Sequence, residues 1–145
     1  MKNKVFFDSN ILIYLFDISE PEKRSIAKQL LLKEIENNNE LYISSQVVNE
    51  FINGVTRKVK KNIPFEYIEK HLNFIKNHFI VNPLNLELSF YAVKLKLKYR
   101  YSYYDSLILA SALESNCNIL YTEDLQDRQL IEGSLTIFNP FKTNQ

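Results

Sequence analysis

Short apolar runs alternate with longer segments of helical periodicity along this chain. The first run, Val5–Phe7, ends at Asp8, and apolar residues resume directly afterwards in Ile11–Tyr14 without an intervening glycine or proline. We interpret the run as a buried strand that ends at Asp8, followed at once by a helix over Ser9–Phe16. Continuously apolar short strands that alternate with helices are typical of a parallel sheet covered on both faces.

The same alternation continues to the end of the chain. Further strands are predicted at Leu41–Ile43, Phe79–Val81, Ile119–Tyr121 and Leu135–Phe138. Helices are predicted from a capping box in Ser19–Glu22 to about Ile35, from Ser44 or Ser45 through Val59, from Pro64 to near His78, and over Tyr103–Glu114. The expected fold class is therefore α/β: a single-domain, three-layer sandwich whose five-stranded, mostly parallel sheet is flanked by helices.

The segment from Leu84 to Tyr101 fits two patterns. Alternation of apolar and polar positions favours a strand, whereas a helical face is formed by Leu88, Tyr91, Ala92, Leu95 and Tyr99. We predict a helix, because the length suits a crossover connection between parallel strands better than one strand.

Composition bounds the class of protein. The 145 residues are 46% hydrophobic with two glycines and four prolines, which predicts one compact, helix-rich domain over 1–145. The first apolar run is too early and too brief for a signal peptide, and no apolar stretch approaches the ~20 residues that span a bilayer, so we expect a cytoplasmic protein without a membrane partner. Cys117 is the only cysteine, which excludes an internal disulfide and a cysteine cluster for zinc. The net charge of +1 gives no general basic field, so a nucleic acid would be held by a local patch or through metal ions.

Four acids stand at equivalent places in the predicted pattern. Asp8, Glu50, Asp105 and Asp124 each lie at the carboxyl end of a strand or in the opening turns of the next helix. In a parallel sheet these places share one edge, and a ligand site is expected there if the strands of Asp8 and Asp124 are neighbours where the strand order reverses. The alternative is that they are helix caps, as Asp often is, and surface acids among the seventeen Asp and Glu. Gly54, one turn after Glu50, would leave room for a ligand or another backbone.

Convergence of four carboxylates would require cations. Two carboxylates ~5 Å apart repel by roughly 3 kcal/mol at an effective dielectric of ~20. Oxygen ligands without Cys or His select hard ions, Mg²⁺ or Mn²⁺. Such a centre favours phosphodiester hydrolysis, because it neutralises phosphate and lowers the pKa of bound water.

Four segments of the chain resemble the acidic motifs of PIN-domain ribonucleases, above all VapC-type toxins of bacterial toxin–antitoxin pairs. The segments, in the order of that family, are Phe7–Tyr14, Ser45–Phe51, Tyr104–Ala112 and Leu120–Leu125. The resemblance implies a five-stranded parallel sheet, RNA cleavage dependent on Mg²⁺ or Mn²⁺, a homodimer, and an antitoxin that inserts a segment near the site. It implies catalytic and metal-binding roles for Asp8, Glu50 and Asp105, and for Asp124 as the fourth acid, with Asp127 as the alternative.

Basic and aromatic residues near these motifs have two interpretations. One cluster is Arg57, Lys58, Lys60 and Lys61, and the other is Lys94, Lys96, Lys98 and Arg100. They are either solvated charge near helix ends or groups that hold RNA phosphates beside the acids. Tyrosines from Tyr99 to Tyr104 either pack or stack on unpaired bases. Supporting contacts are expected from Ser9, Asn10, Ser106 and Thr122, whereas His71, His78 and Cys117 are interpreted as ordinary packed or surface residues.

Competing functions remain open at this stage. The same site would serve a housekeeping RNA-processing nuclease, which the absence of an adjacent antitoxin gene would favour. A catalytically silent nucleic-acid-binding module is less compatible with four retained acids. A phosphoacceptor domain of the receiver or haloacid-dehalogenase type also starts from an Asp at the end of a strand. The haloacid-dehalogenase type needs a second Asp two residues after Asp8, where this chain has Asn10.

Overall fold

The computed structural model describes residues 2–58 and 64–142, with the side chain of Lys58 excluded. Its strands are β1 (Lys4–Phe7), β2 (Glu40–Ser44), β3 (Ile80–Asn82), β4 (Ile119–Tyr121), β5 (Leu130–Ile131) and β6 (Leu135–Phe138). Its helices are α1 (Ser9–Tyr14), α2 (Pro21–Glu36), α3 (Ser45–Lys58), α4 (Phe65–His78), α5 (Leu86–Tyr99) and α6 (Tyr103–Glu114). The predicted Val59, Lys60 and Lys61 lie outside the described residues.

A single sheet organises these elements, in the strand order β3-β2-β1-β4-β6-β5. The first five strands of that order are parallel, and only the β5–β6 pair is antiparallel. The predicted mostly parallel α/β sheet is thus confirmed, with one additional strand. Strand β5 was not predicted from the sequence, because its two residues are too few to show a period.

The central strands form the core. Val5, Phe6 and Phe7 have no exposed surface, and neither have Ile43 and Leu120. Strands buried on both faces need apolar side chains at every position, which is why they appear in the sequence as unbroken runs.

The ambiguous segment is helical, as predicted. The Asn85 side chain caps α5 by accepting a hydrogen bond from the Leu88 N–H (2.8 Å), and Arg100 ends it in the left-handed conformation (φ 67°). The strand-like alternation arose because Leu86 and Leu97 are apolar but exposed.

Two local predictions were wrong. Helix α2 has Glu20 at its N-cap without a side-chain cap hydrogen bond, because the Ser19 hydroxyl instead donates to the Asp17 carboxylate. The space beside Gly54 holds neither a ligand nor a backbone: a Cβ there would lie 2.6 Å from Ile13 Cδ1. Gly54 therefore lets α1 pack closely on α3. This contact fixes the positions of both helices relative to each other, and with them Asp8 at the N-cap of α1 and Glu50 within α3.

Candidate active site

The strands that precede Asp8 and Asp124 lie side by side at the centre of the sheet. Phe7 of β1 is paired with Tyr121 of β4, and the strand order reverses between these strands. Asp8 continues the pairing by donating its N–H to the Tyr121 carbonyl (3.0 Å). Asp8 and Thr122 consequently stand next to each other at the carboxyl edge, where parallel α/β sheets bind ligands.

Asp8 is both a helix cap and a member of the acidic cluster, so the two interpretations of this residue are compatible. Its Oδ1 accepts the Ser9 N–H (2.7 Å) and its Oδ2 accepts the Thr122 hydroxyl (2.8 Å). Only 4% of the residue is exposed. Burial raises the pKa of this carboxyl from 3.8 to about 7, the two hydrogen bonds oppose the rise, and the negative charges of Asp124 and Glu50 add to it.

Glu50 reaches the site from α3 and is exposed to solvent. The Ser9 hydroxyl donates to Glu50 Oε1 (3.1 Å) and lies 3.5 Å from Asp8 Oδ1, so it connects the two acids. Gln46 Nε2 donates to the Tyr104 carbonyl (3.2 Å) and to Glu50 Oε2 (3.4 Å). Gln46 was missed by the sequence analysis, although its place four residues before Glu50 on one helical face was a usable signal.

Asp124 follows β4 and faces Asp8 through Thr122. Asn10 Nδ2 donates to Asp124 Oδ2 (3.0 Å), and the Asp124 N–H donates to the Thr122 hydroxyl (3.2 Å). Burial raises the pKa of Asp124, the Asn10 hydrogen bond opposes this, and the charge of Asp105 adds to it.

Asp105 lies in the first turn of α6, which Ser102 caps by accepting the Asp105 N–H (3.1 Å). Its charge acts on Asp124, and Gln46 connects the start of the same helix to Glu50. The four predicted acids therefore occupy one edge of the sheet. Asp127 does not join them, because its Oδ1 accepts the Asn139 N–H (2.8 Å) at the end of β6.

A second polar cluster supports the loop that carries Asp124. Lys23 Nζ lies 2.8 Å from Glu123 Oε2, and the Tyr14 hydroxyl donates to Glu123 Oε1. Phe141 packs edge-on against Tyr14, with ring centroids 5.0 Å apart. This cluster could not be predicted from the sequence, because its members are distant along the chain and none belongs to a recognisable motif.

The tyrosines proposed to stack on RNA bases differ in whether their hydroxyl groups are already engaged by other side chains. Tyr99 and Tyr101 are engaged by Glu132 and Gln129, whereas Tyr104, next to Asp105, is 66% exposed. Lys98 is paired with Glu132 (2.6 Å). These contacts leave Tyr104 as the exposed aromatic side chain directly beside the acids.

The histidines and the cysteine lie in packed surroundings. His71 is buried against Phe16, with ring centroids 3.9 Å apart, and its Nδ1 lies 2.7 Å from the Tyr67 carbonyl. Burial raises the pKa of the Cys117 thiol to about 12. Neither side chain forms part of the acidic edge as described above.

The donor set at this edge suits a hard divalent cation in its chemistry. All the acids offer oxygen, and the amide oxygens of Asn10 and Gln46 are buried without a hydrogen-bond partner among the described residues. Across residues 2–58 and 64–142, no three or more His, Cys, Asp or Glu side chains are grouped closely enough to hold one ion. The arrangement therefore fits an ion held by one or two carboxylates, with water and phosphate oxygens as its other ligands, which is the usual coordination of Mg²⁺ in phosphate chemistry.

These features define an α/β protein with an acidic site at the switch point of its sheet. The sequence matches the model of the PIN domain over residues 5–130, and the chain belongs to that family. A comparison with curated protein sequences gives no significant match.

Several solved structures share the fold. A toxin–antitoxin complex from Klebsiella pneumoniae contains a chain with 24% identity and a TM-score of 0.70, with coverage of 97% of this chain and 100% of that one. VapBC2 from Rickettsia felis, bound to a DNA fragment of its promoter, gives 21% identity, a TM-score of 0.63, and coverage of 92% and 96%. VapC20 from Mycobacterium tuberculosis, a toxin that cleaves the sarcin–ricin loop, gives 14% identity, a TM-score of 0.63, and coverage of 81% and 87%. The fold of this chain is thus the PIN fold found in VapC-type toxins.

The part of the chain that the structure describes contains no helix long and apolar enough to cross a membrane.

Proposed function

We propose that this protein is a metal-dependent endoribonuclease that hydrolyses RNA phosphodiester bonds, and that it is the toxin of a bacterial toxin–antitoxin pair. The observation that supports the proposal most directly is the meeting of Asp8, Glu50, Asp105 and Asp124 at one edge of the sheet, with the pKa of buried Asp8 raised to about 7. Burial and the neighbouring negative charges make the ionised form of the Asp8 carboxyl unfavourable. A bound cation would relieve this cost, so the position is suited to bind one.

The roles of the side chains follow from their contacts. PIN-family nucleases generally use divalent metal ions, and in this chain one or two of the carboxylates of Asp8, Glu50, Asp105 and Asp124 would hold Mg²⁺ or Mn²⁺ directly, while the others would act on it through water. Such an ion supplies phosphate-charge neutralisation and a water of lowered pKa. Thr122 and Ser9 orient the Asp8 carboxylate, and Asn10 orients that of Asp124. Exposed Tyr104 is suited to stack on an unpaired base beside the acids.

The toxin assignment is supported by the solved structures of the same fold. One of them is described as a toxin–antitoxin complex, one as VapBC2, and one as a toxin that cleaves the sarcin–ricin loop. We therefore propose that this chain binds an antitoxin, cleaves RNA and associates with itself as a homodimer. A cytoplasmic location is part of the same proposal.

Purified protein incubated with RNA tests the enzymatic part. We expect cleavage with Mg²⁺ or Mn²⁺ and none in excess EDTA, and we expect Asp8→Asn and Asp105→Asn to abolish it. Asp127→Asn is the matched control, because Asn keeps the oxygen that accepts the Asn139 N–H outside the acidic edge. Undiminished cleavage in EDTA, or equal losses in all three variants, would refute the mechanism.

Controlled expression in a bacterial host tests the toxin part. The native chain should arrest growth, whereas Asp8→Asn at the same protein level should not. Sequencing of RNA ends after brief induction should reveal new ends that the variant lacks. If both forms are equally harmless while the purified enzyme cleaves RNA, the housekeeping nuclease is the better assignment.

A further inference from the structure

A groove of about 750 Å³ lies along one side of the sheet, and none of the four acids of the candidate active site lines it. Helix α2 forms its wall. Strands β4 and β6 form its floor, where Tyr121 and Phe138 are paired in register with ring centroids 6.3 Å apart. The volume lies in the range of sites that bind small molecules.

A buried carboxylate, that of Glu34, lines this groove. Only 3% of the residue is exposed. Its Oε1 accepts the Tyr121 hydroxyl (3.0 Å), and its Oε2 accepts the side-chain amide of Asn39. Among the described residues, no Lys, Arg or His nitrogen lies within 4.0 Å of this carboxylate, although buried carboxylates are normally paired with a cation. A carboxylate offers about four acceptor positions, so Glu34 can accept further hydrogen bonds from a ligand.

Exposed cations line the same groove. Lys33 lies on the α2 side, and Arg128 and Lys142 lie on the β6 side. Backbone hydrogen bonds hold these two beside Phe138: the Arg128 N–H donates to the carbonyl of the preceding residue (2.7 Å), and the Lys142 N–H to that of the following one (3.3 Å). Asp127 offsets part of the Arg128 charge, with Oδ2 3.8 Å from Nε. The groove thus combines a buried anion with a cationic rim.

We propose that this groove binds a guanosine 5′-monophosphate unit, with the base hydrogen-bonded to Glu34 and the phosphate held by Arg128 and Lys142. Guanine presents two adjacent donors on its Watson–Crick edge, N1–H and the 2-amino group, which match one carboxylate. Adenine, cytosine and uracil each place an acceptor beside a donor on that edge. The half-buried ring of Phe138 supplies an aromatic surface for the base.

The charges of the groove favour a nucleotide over an arginine side chain. A guanidinium group also presents two adjacent donors, but the cationic rim would repel it. A nucleotide brings a phosphate that the same cations bind. The inference goes beyond the proposed nuclease and does not depend on it.

Isothermal titration calorimetry of the full chain in EDTA tests the recognition of the base, because EDTA prevents a metal from linking phosphate to the acidic edge. We expect GMP to bind, IMP, which lacks the 2-amino group, to bind about tenfold more weakly, and AMP at least about 100-fold more weakly. Each lost hydrogen bond to a charged group is worth about tenfold or more in affinity. Equal binding of GMP and AMP, or no binding of GMP at millimolar concentration, would overturn the proposal.

Two sets of variants separate the base from the phosphate. Glu34→Gln should abolish the preference for GMP over AMP. Replacing the exposed Arg128 and Lys142 by Gln should weaken GMP about tenfold and leave guanosine, which has no phosphate, unchanged. Lys28→Gln, on an exposed position of α2 outside the groove, is the matched control for GMP binding. A preference that survives Glu34→Gln, or rim variants that weaken guanosine as much as GMP, would contradict the assignment. If Glu34→Gln does not fold, the rim variants and the three nucleotides still decide.

Competition in EDTA distinguishes the two sources of this ligand, a free nucleotide and a guanosine within RNA. Displacement of GMP by a short RNA that contains one guanosine, but not by the same RNA with adenosine in its place, assigns the groove to RNA. Displacement by neither assigns it to the free nucleotide. Equal displacement by both would refute the recognition of guanine.

Discussion

Replacing Asp8 by Asn should make the metal-free protein more stable at alkaline pH. The pKa of Asp8 is about 7 in the folded protein and near 3.8 in the unfolded chain. Because the folded-state pKa of this acid is raised, the unfolded chain loses its proton first as the pH increases. Native stability therefore falls between about pH 4 and pH 7 and is constant above that range.

The magnitude follows from the size of the shift. At about 1.4 kcal/mol for each pKa unit, ionising Asp8 costs the folded state about 4 kcal/mol above pH 7. An Asn at this position keeps the oxygen that accepts the Ser9 N–H, but its NH₂ group cannot accept the hydrogen bond that the Thr122 hydroxyl donates to Asp8 Oδ2. One lost hydrogen bond costs about 1 kcal/mol. The net gain of Asp8→Asn at pH 8 is then about 3 kcal/mol, or about 10 °C in Tm.

Urea unfolding of both proteins in EDTA, at intervals from pH 4 to pH 8, measures this difference. The two free energies of unfolding should be close at pH 4 and should diverge as the pH rises, while Asp127→Asn should not reproduce the divergence. At pH 8, added Mn²⁺ should raise the free energy of unfolding of the native protein by more than it raises that of the Asp8→Asn variant. A difference that stays flat from pH 4 to pH 8 would show that burial does not raise the pKa of Asp8 in the folded protein.

Two further substitutions test the surroundings of the site. Thr122→Val should lower the free energy of unfolding at pH 8 by about 2 kcal/mol, because it removes the donor to Asp8 and the acceptor for the Asp124 N–H; urea unfolding measures this, and an unchanged midpoint would contradict it. Gly54→Ala should stabilise the protein by less than the ~1 kcal/mol that helix propensity alone offers, because the new Cβ would lie 2.6 Å from Ile13 Cδ1 and force that methyl group to move. In an Ile13→Val background, which lacks that atom, the same change should recover more of this gain, and a double-mutant cycle without coupling would refute the close packing of α1 on α3.

The sequence predicted the sheet well because its strands are buried on both faces. Runs such as Val5–Phe7 and Ile119–Tyr121 had to be apolar throughout, and a carboxylate directly after a run had to lie at the sheet edge. The positions of Asp8 and Asp124 follow from that rule together with the pairing of β1 and β4.

Contacts between distant residues could not be predicted in this way. Gln46 resembles any polar residue on a helix until α3 is placed beside the start of α6. The alternation in Leu86 and Leu97 indicated a strand only because the sequence does not reveal which apolar residues stay exposed. Gly54 suggested empty space, and only the packing of α1 shows that Ile13 fills it.

The hydrogen bond between Thr122 and Asp8 joins residues 114 positions apart in the chain. During synthesis, the ribosome releases Asp8 and Glu50 long before Asp105 and β4, so the acidic edge is incomplete until most of the chain has emerged. Contacts of such large sequence separation form late, since the intervening chain must first be ordered. A nascent or truncated chain that ends before β4 therefore lacks both Thr122, which donates to Asp8, and Asp124, so its acidic edge cannot be completed.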